Sequence, residues 1–266
     1  MFTKKNTYIL VPFCYKICYL SFLELKMNLL GNGLTSIRER GIILGDANID
    51  LKQRKINMID SIIFDLDGTL WNSTPEVAIA FNKVLRDRHP EVTEIVTAKR
   101  LQELFGLPLD VIAVKLFESV APEQAIKVMG ECCEYECEYL AEHGATLYEG
   151  LEDTLKKLST QYKLMIVSNC QDGYIQCFFQ AYPHLEQYFT DFEYPGRSGK
   201  LKAENIRMIV ERNQLKNPVY VGDTSGDAQA AKDAGVPFIF ARYGFGVVTE
   251  YEGAIDAFPE LLQLFC

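Results

Sequence analysis

The stretch of residues 62–70, IIFDLDGTL, places two carboxylates, Asp65 and Asp67, at the end of an apolar run. A continuous run of Ile and Phe is typical of a strand buried on both faces, and side chains alternate along a strand with period two. The two aspartates therefore point the same way, just before Gly68 lets the chain turn. Because close, desolvated carboxylates repel each other, this pattern favours a bound cation, a proton-transfer role or both. The alternative is an ordinary Asp-Gly turn after a strand.

Composition and charge limit the classes of partner. The chain has 266 residues, of which 48% are hydrophobic, enough to bury a sizeable core. Its net charge of -9 is uneven, because residues 1–57 carry nine Lys or Arg against four acids and the remainder therefore stands at -14. An acidic body repels nucleic acids and anionic membranes, so neither partner is expected. The eight cysteines show no paired zinc-ribbon spacing, and we expect free thiols and a cytoplasmic location.

The first 57 residues differ in composition from the rest of the chain. Residues 8–23 are largely apolar and have the superficial look of a signal-peptide core or a short membrane anchor. Pro12 and Lys16 interrupt this run, which is also short for a spanning helix. Because the first strand would begin directly after Met58, we interpret residues 1–57 as an N-terminal extension outside the native domain and without a role in the chemistry.

The pattern of apolar residues changes twice along the rest of the chain. Thr74-Pro75 is a typical helix start, and apolar residues recur at helical spacing through much of residues 74–147. From Tyr148 onward, strand patterns alternate with helical ones, which is typical of a parallel sheet with right-handed crossovers. The sequence therefore predicts an α/β fold, with a Rossmann-like parallel sheet core from residues 58–73 and 148–266 and an inserted α-helical cap domain at 74–147.

Three predicted strands end in polar residues. Asp65 follows the first strand, Ser168-Asn169 follows KLMIV, and Asp223 follows PVYVG, with Asp227 four residues later. In open α/β sheets, ligands bind beyond the carboxyl ends of the strands, so we expect these side chains to meet there. Their oxygens suit Mg²⁺, which prefers octahedral oxygen ligands including one or two carboxylates.

The same strand ends also suit a phosphate. Hydroxyl and amide groups such as those of Ser168 and Asn169 donate hydrogen bonds, and the segment GKLK supplies a lysine at a helix start. One carboxylate can then attack phosphorus while the other moves a proton. Each feature alone is more often a turn, a helix cap or a surface lysine, but their occurrence together in this order favours phosphate chemistry.

In this order the motifs DLDGT, a strand ending in Ser168, a lysine near residue 202 and GDTSGD resemble the haloacid dehalogenase superfamily, whose members mostly hydrolyse phosphate monoesters. The resemblance covers residues 58–246, including the helical cap after the first strand that marks the subfamily with phosphoglycolate phosphatases. The roles that it implies are a nucleophile at Asp65, a general acid/base at Asp67, Mg²⁺ ligands at Asp65, Asp67 (through its backbone carbonyl), Asp223 and Asp227, and phosphoryl binding by Ser168 and Lys202.

The family motifs do not by themselves assign the phosphate-binding lysine or the substrate-binding residues. The third motif, GKLKAENI, departs from the commoner Lys-Pro form, so Lys202 is our choice of phosphate-binding lysine and Lys200 its competitor. Substrate specificity would come mainly from the cap. The candidate substrate-binding residues are Thr69, Asn169, Gly106, Arg100 and Lys115.

Three alternative functions fit the sequence less well than a phosphatase does. Dehalogenases of the superfamily lack the second aspartate, which is present here as Asp67. Sugar-phosphate mutases such as β-phosphoglucomutase typically have a cap histidine where this chain has Val77. A non-catalytic phosphate-binding module would lack a nucleophile or a metal ligand. The segment YGFG at residues 243–246 resembles the Trp-Gly-Tyr-Gly segment of phosphoglycolate phosphatases, which favours a phosphoglycolate phosphatase-like activity on a small phosphorylated metabolite. We expect a monomer or homodimer.

Overall fold

The computed structural model describes residues 59–266, so the predicted N-terminal extension at 1–57 lies outside the described residues. Strands and helices alternate along most of this part of the chain. The strands are β1 (Ser61–Phe64), β2 (Trp71–Asn72), β3 (Thr146–Leu147), β4 (Lys163–Val167), β5 (Phe189–Glu193), β6 (Pro218–Gly222), β7 (Phe238–Ala241) and β8 (Gly253–Ile255). The helices are α1 (Thr74–Arg88), α2 (Ala98–Leu104), α3 (Leu109–Leu116), α4 (Pro122–His143), α5 (Leu151–Leu158), α6 (Tyr174–Ala181), α7 (Pro183–Glu186), α8 (Pro195–Ser198), α9 (Lys202–Arg212), α10 (Ser225–Ala234) and α11 (Leu261–Phe265).

Six of the strands form one parallel sheet in the order β5-β4-β1-β6-β7-β8, which confirms the predicted α/β fold. Strand β1 lies between β4 and β6, the positions at which the chain order reverses. Such a reversal is a topological switch point, where the carboxyl ends of neighbouring strands open a crevice. The fold thus brings the ends of β1, β4 and β6 side by side.

The apolar side chains of the sheet alternate between two layers of core. Ile62 and Phe64 of β1 belong to the layer that includes α5 and α6, whereas Ile63 packs with Met165 and Tyr220 toward α9 and α10. All four residues of β1 are buried, because helices cover the sheet on both faces. The continuous Ile and Phe pattern of β1 follows directly from this burial.

The insertion after β1 is helical, with α1 to α4 between residues 74 and 143. Helix α1 begins with Pro75 in its first turn, where the missing N–H costs nothing, and it packs along α4. Helix α4 also packs against α6 of the sheet region, so one face of the insertion lies beside the sheet. The division of residues 58–73, 74–147 and 148–266 into a core and a cap domain stays a prediction.

The sequence patterns do not predict several of the shortest strands and helices. Strands β2 and β3 have two residues each and pair antiparallel, Trp71 with Leu147, at the entry to and exit from the helical insertion. Edge strand β8 has three residues and α11 has five, too few for a period to appear. No helix within residues 59–266 is long and apolar enough to cross a membrane.

Candidate active site

The first motif leaves the sheet in a tight turn. The N–H of Asp65 donates to the carbonyl of Val221 at 2.8 Å, which holds Asp65 against β6 beyond the last residue of β1. Gly68 has φ of 84°, in the left-handed region, and its N–H donates to the carbonyl of Trp71 at 2.8 Å. A Cβ on Gly68 would lie 2.2 Å from Oδ2 of Asp223, so only glycine lets the two motifs approach this closely.

Three buried carboxylates meet at the ends of β1 and β6. Asp65, Asp223 and Asp227 each offer an oxygen, and these oxygens all lie within 4.8 Å of one another. Oδ1 of Asp223 is buried and has no hydrogen-bond partner among the described residues, whereas Oδ2 accepts from the Phe245 N–H at 2.6 Å. An orphaned carboxylate oxygen beside two other carboxylates fits a hard dication with oxygen ligands. We therefore conclude that these residues fit Mg²⁺.

Lys202 places its ammonium among these carboxylates. Its Nζ donates to Oδ1 of Asp65 at 2.7 Å and to Oδ1 of Asp227 at 2.5 Å, and its side chain is 5% exposed. Lys200, the competing candidate, is exposed on the surface, and its N–H donates to the Ser198 hydroxyl. With all groups ionised, three carboxylates and one ammonium carry two net negative charges, the amount that one dication balances.

Burial dominates the electrostatics of the cluster. It raises the pKa of Asp65 to about 7, although the Lys202 ammonium acts in the opposite direction. Burial, together with the charges of Asp227 and Asp65, raises the pKa of Asp223 well above its usual range. Burial also opposes ionisation of Asp227, yet its contact with Lys202 holds the pKa of Asp227 below the ordinary value. Desolvation first, and the neighbouring carboxylates second, therefore disfavour the ionised forms of Asp65 and Asp223.

Asp67 has a different environment from Asp65. Its Oδ1 accepts hydrogen bonds from the hydroxyl of Ser73 and, at 2.9 Å, from the hydroxyl of Tyr174. Burial raises the pKa of Asp67 to about 6, while the two hydroxyl donors act to lower it. Two hydroxyl donors thus fix its carboxylate, whose pKa of about 6 suits giving and taking protons near neutral pH.

A cavity of about 40 Å³ opens onto these groups, room for about three water molecules. Asp65, Asp67 and Lys202 line it together with Ser168, Asn169 and Gly106, three further residues predicted from the sequence. The Asn169 side-chain amide donates to the Gly106 carbonyl at 3.1 Å, which ties the end of β4 to the loop between α2 and α3. Predicted site residues from widely separated stretches of the sequence are therefore brought together.

Three predicted substrate-binding residues do not line this cavity. The Arg100 guanidinium lies on the surface, where it contacts Glu103 and Glu118 and donates to the Lys115 carbonyl at 2.9 Å. Lys115 is exposed, and Thr69 is fully buried behind the site, with its carbonyl accepting from Tyr243. The prediction of Arg100 and Lys115 rests on residue type alone, whereas their positions on the helices direct both side chains to solvent.

The structure also adds residues that the sequence did not indicate. Glu136 of α4, 3% exposed, lines the cavity and accepts a hydrogen bond from the Gln171 side chain at 2.7 Å. Burial, followed by the nearby Cys137 and Asp67, raises the pKa of Glu136 well above its usual range. Tyr174 and Gln171 come from the stretch after β4. The one sequence signal for Glu136 is its position as an acid on the otherwise apolar face of a helix.

The YGFG segment at residues 243–246 packs against Asp223. Besides the Phe245 N–H that holds Asp223, a Cβ on Gly244 would lie 2.2 Å from the Cβ of Asp223. A Cβ on Gly246 would lie 2.6 Å from the backbone oxygen of Asp223. The two glycines therefore allow this segment to wrap closely around Asp223.

Comparisons with known proteins identify a family and several relatives. A family model described as haloacid dehalogenase-like hydrolase matches residues 62–241. The phosphoglycolate phosphatase of Vibrio vulnificus (strain CMCP6) is 26% identical over 224 residues, which span 77% of this chain and 96% of the relative. The phosphoglycolate phosphatase of Salmonella typhimurium (strain LT2) is 23% identical over 242 residues, with coverage of 78% and 93%.

Solved structures support the same fold. The crystal structure of a predicted phosphoglycolate phosphatase from Haemophilus somnus 129PT superposes with a TM-score of 0.67 at 24% identity, covering 77% of this chain and 97% of that one. CbbY from Rhodobacter sphaeroides, solved in complex with phosphate, superposes with a TM-score of 0.65 at 19% identity, covering 77% and 96%.

Proposed function

The chain belongs to the haloacid dehalogenase-like hydrolases, and we propose that it is a Mg²⁺-dependent phosphatase that hydrolyses a small phosphorylated metabolite through an aspartyl-phosphate. The observation that carries the proposal is the buried set of Asp65, Asp223, Asp227 and Lys202 beside the cavity that Asp67 and Ser168 also line. Acids and a lysine at this density are costly to bury unless they bind a charged ligand. The names of the relatives agree with a phosphatase.

Asp65, Asp223 and Asp227 would hold the metal, directly or through water, and the Asp67 carbonyl is proposed as a further ligand. When bound, Mg²⁺ would supply positive charge that draws the substrate phosphate to the site and stabilises the charge that develops on its oxygens. The Ser168 hydroxyl and the Asn169 amide line the same cavity and would donate hydrogen bonds to phosphoryl oxygens. Lys202 would neutralise the phosphoryl group while it keeps Asp65 oriented.

In the first step, a carboxylate oxygen of Asp65 attacks phosphorus, and the bond from phosphorus to the substrate oxygen breaks. The leaving oxygen needs a proton, which Asp67 would donate. Its pKa of about 6 leaves a usable fraction protonated near neutral pH. The Ser73 and Tyr174 hydroxyls would hold the Asp67 carboxyl in place during the transfer. The products of this step are a free alcohol and an aspartyl-phosphate on Asp65.

In the second step, Asp67 would take a proton from water as the water oxygen attacks the phosphorus of the aspartyl-phosphate. The bond between phosphorus and the Asp65 oxygen then breaks, which releases inorganic phosphate and restores both carboxyls. Asp67 thus acts first as acid and then as base. The helical segment at 74–147 would act as a cap that supplies the distal wall of the cavity through residues such as Gly106 and Glu136.

The test is a screen of the purified full-length chain against a panel of phosphorylated metabolites, with release of inorganic phosphate as readout. We expect Mg²⁺-dependent release from at least one small monoester, and none from the Asp65→Asn variant. Phosphoglycolate belongs on the panel because of the names of the relatives. Equal release by Asp65→Asn would overturn the proposed mechanism. A cytoplasmic location and a monomeric or homodimeric state stay predictions.

A further inference from the structure

The part of the cavity wall that the helical insertion supplies contains an acid that the proposed mechanism does not use. Glu136 projects from α4 into the cavity, is 3% exposed, and has its Oε2 2.7 Å from the Gln171 amide nitrogen. The other lining residues from the helical insertion, such as Phe105, Ile112 and Met129, are mostly apolar. Among the described residues of the helical insertion that line the cavity, Glu136 is the acidic one. It would face the part of the substrate that lies beyond the phosphate.

The positive charge that lines the cavity is already paired with carboxylates. Among the described residues that line it, Lys202 is the one cation, and its ammonium is held by Asp65 and Asp227. Arg100 and Lys115, the cap cations proposed from the sequence, lie on the surface instead. A substrate phosphate would use Lys202 and the metal, which leaves nothing to balance a second anion on the leaving group.

A carboxylate on the leaving group would therefore be buried beside Glu136 without a counter-charge. Burying a charge without a partner is costly, and the Glu136 carboxyl, whose pKa burial raises, carries no positive charge to offset a second anion. A hydroxyl group can exchange hydrogen bonds with the Glu136 carboxyl in either protonation state, and an ammonium group would supply the counter-charge that lets Glu136 ionise. Glu136 lines the same cavity as Asp65 and Asp67, so a small leaving group bound there would lie near Glu136.

Resting on the proposed phosphatase function, we infer that Glu136 is a specificity-determining residue and that the leaving alcohol carries a hydrogen-bond donor, a hydroxyl or an ammonium group, in place of a carboxylate. This inference sets the substrate apart from phosphoglycolate, although several relatives carry that substrate in their names. The two kinds of leaving group can be compared at equal size.

The first test compares 2-hydroxyethyl phosphate with 2-phosphoglycolate, which differ by a hydroxymethyl group in place of a carboxylate. We expect kcat/KM of the full-length chain to be at least about tenfold higher for 2-hydroxyethyl phosphate, because a site built for one polar group rejects its mismatched analogue. Ethanolamine phosphate is expected to behave like 2-hydroxyethyl phosphate. A preference for 2-phosphoglycolate would overturn the inference.

The second test uses Glu136→Ala, with acetyl phosphate as an activated small substrate that has no donor on its leaving group. We expect the variant to lose about ten- to a hundredfold in kcat/KM for 2-hydroxyethyl phosphate, the usual effect of losing a hydrogen bond to a charged or strongly polar group. The loss should be at least about tenfold greater for 2-hydroxyethyl phosphate than for acetyl phosphate, because only the former has a donor for Glu136. Thermal unfolding reports whether the variant is folded. Glu136→Gln keeps an acceptor and should restore most of the lost activity.

The matched control is Glu138→Ala, an exposed position on the same helix, which should affect neither substrate. Equal losses for both substrates in Glu136→Ala would mean a structural role and overturn the inference. If the wild-type chain releases phosphate from no compound of the metabolite panel and from neither test substrate, the proposed function itself fails and the inference falls with it. Hydrolysis of acetyl phosphate together with a preference for 2-phosphoglycolate would reject the inference alone.

Discussion

The Nζ atom of Lys202 lies 2.7 Å from Oδ1 of Asp65, and both side chains are buried although 137 positions separate them in the sequence. The contact connects the start of α9 to the end of β1. It places a positive charge against the proposed nucleophile, where it would face the phosphoryl group of a substrate.

The Lys202→Met variant is expected to lower kcat by about 10²-fold or more, because a preorganised charge at the phosphoryl group would be lost. Steady-state kinetics with Mg²⁺ present measure this, and thermal unfolding reports whether the variant still folds. Lys200→Met is the matched control, since that side chain is exposed, and it should keep near wild-type activity. A larger loss in Lys200→Met than in Lys202→Met would mean that the phosphate-binding lysine is misassigned.

The strand ends could be predicted from the sequence because they depend on local patterns. A buried apolar run that ends in polar residues indicates the carboxyl end of a strand, and parallel topology brings such ends together. Asp65, Ser168 and Asp223 follow neighbouring strands of the sheet for this reason. The choice of Lys202 over Lys200 also agrees with the burial of Lys202.

The cap side of the site could not be predicted in the same way. Glu136 reaches the cavity through the packing of α4 against α6, a contact that no local period encodes. Arg100 and Lys115 were selected because cations suit phosphate, but their helices turn them outward. Ser73 and Tyr174 meet at Asp67 across 101 positions of sequence, so their joint role depends on the tertiary fold alone.

Asp67→Asn should lower turnover of an alkyl phosphate by about 10²- to 10⁴-fold, because the amide cannot exchange the proton. The variant keeps the shape of the side chain and the backbone carbonyl. Acetyl phosphate, whose leaving group needs no proton, should lose much less in the first step. Rapid-quench kinetics on both substrates measure the difference, with the exposed Asp110→Asn as control. Equal losses in the phosphorylation step would argue against a proton-transfer role.

Tyr174→Phe should lower kcat by about tenfold or more, because it removes a hydroxyl that donates to Oδ1 of Asp67 at 2.9 Å. Donors stabilise the ionised carboxylate, so the loss of one should raise the pKa of Asp67 from about 6. The protonated form then persists to higher pH, and the limb of the pH–rate profile that reports the titration of Asp67 should shift to higher pH. Tyr135→Phe on α4 is the control, and an unmoved profile in Tyr174→Phe would contradict the positioning role.

Mg²⁺ should stabilise the folded chain, because the carboxylate cluster proposed to bind it exists only after folding. At one hundred times the dissociation constant, the expected gain in the free energy of unfolding is about 2.7 kcal/mol, and a chelator should remove it. Asp223→Asn should weaken binding measured by calorimetry, whereas Asp233→Asn, exposed on α10, should not. Equal Mg²⁺ affinity in wild type and Asp223→Asn would place the metal elsewhere.

The central claim is that Asp65 carries the phosphoryl group during turnover. Acid quench of the full-length chain during hydrolysis of acetyl phosphate with Mg²⁺, followed by digestion and mass spectrometry, locates that group directly. We expect an acyl phosphate on Asp65 that accumulates in Asp67→Asn and disappears when Mg²⁺ is chelated. The Asp65→Asn variant should show neither phosphoenzyme nor turnover. Phosphate on another residue, or turnover by Asp65→Asn, would contradict the account.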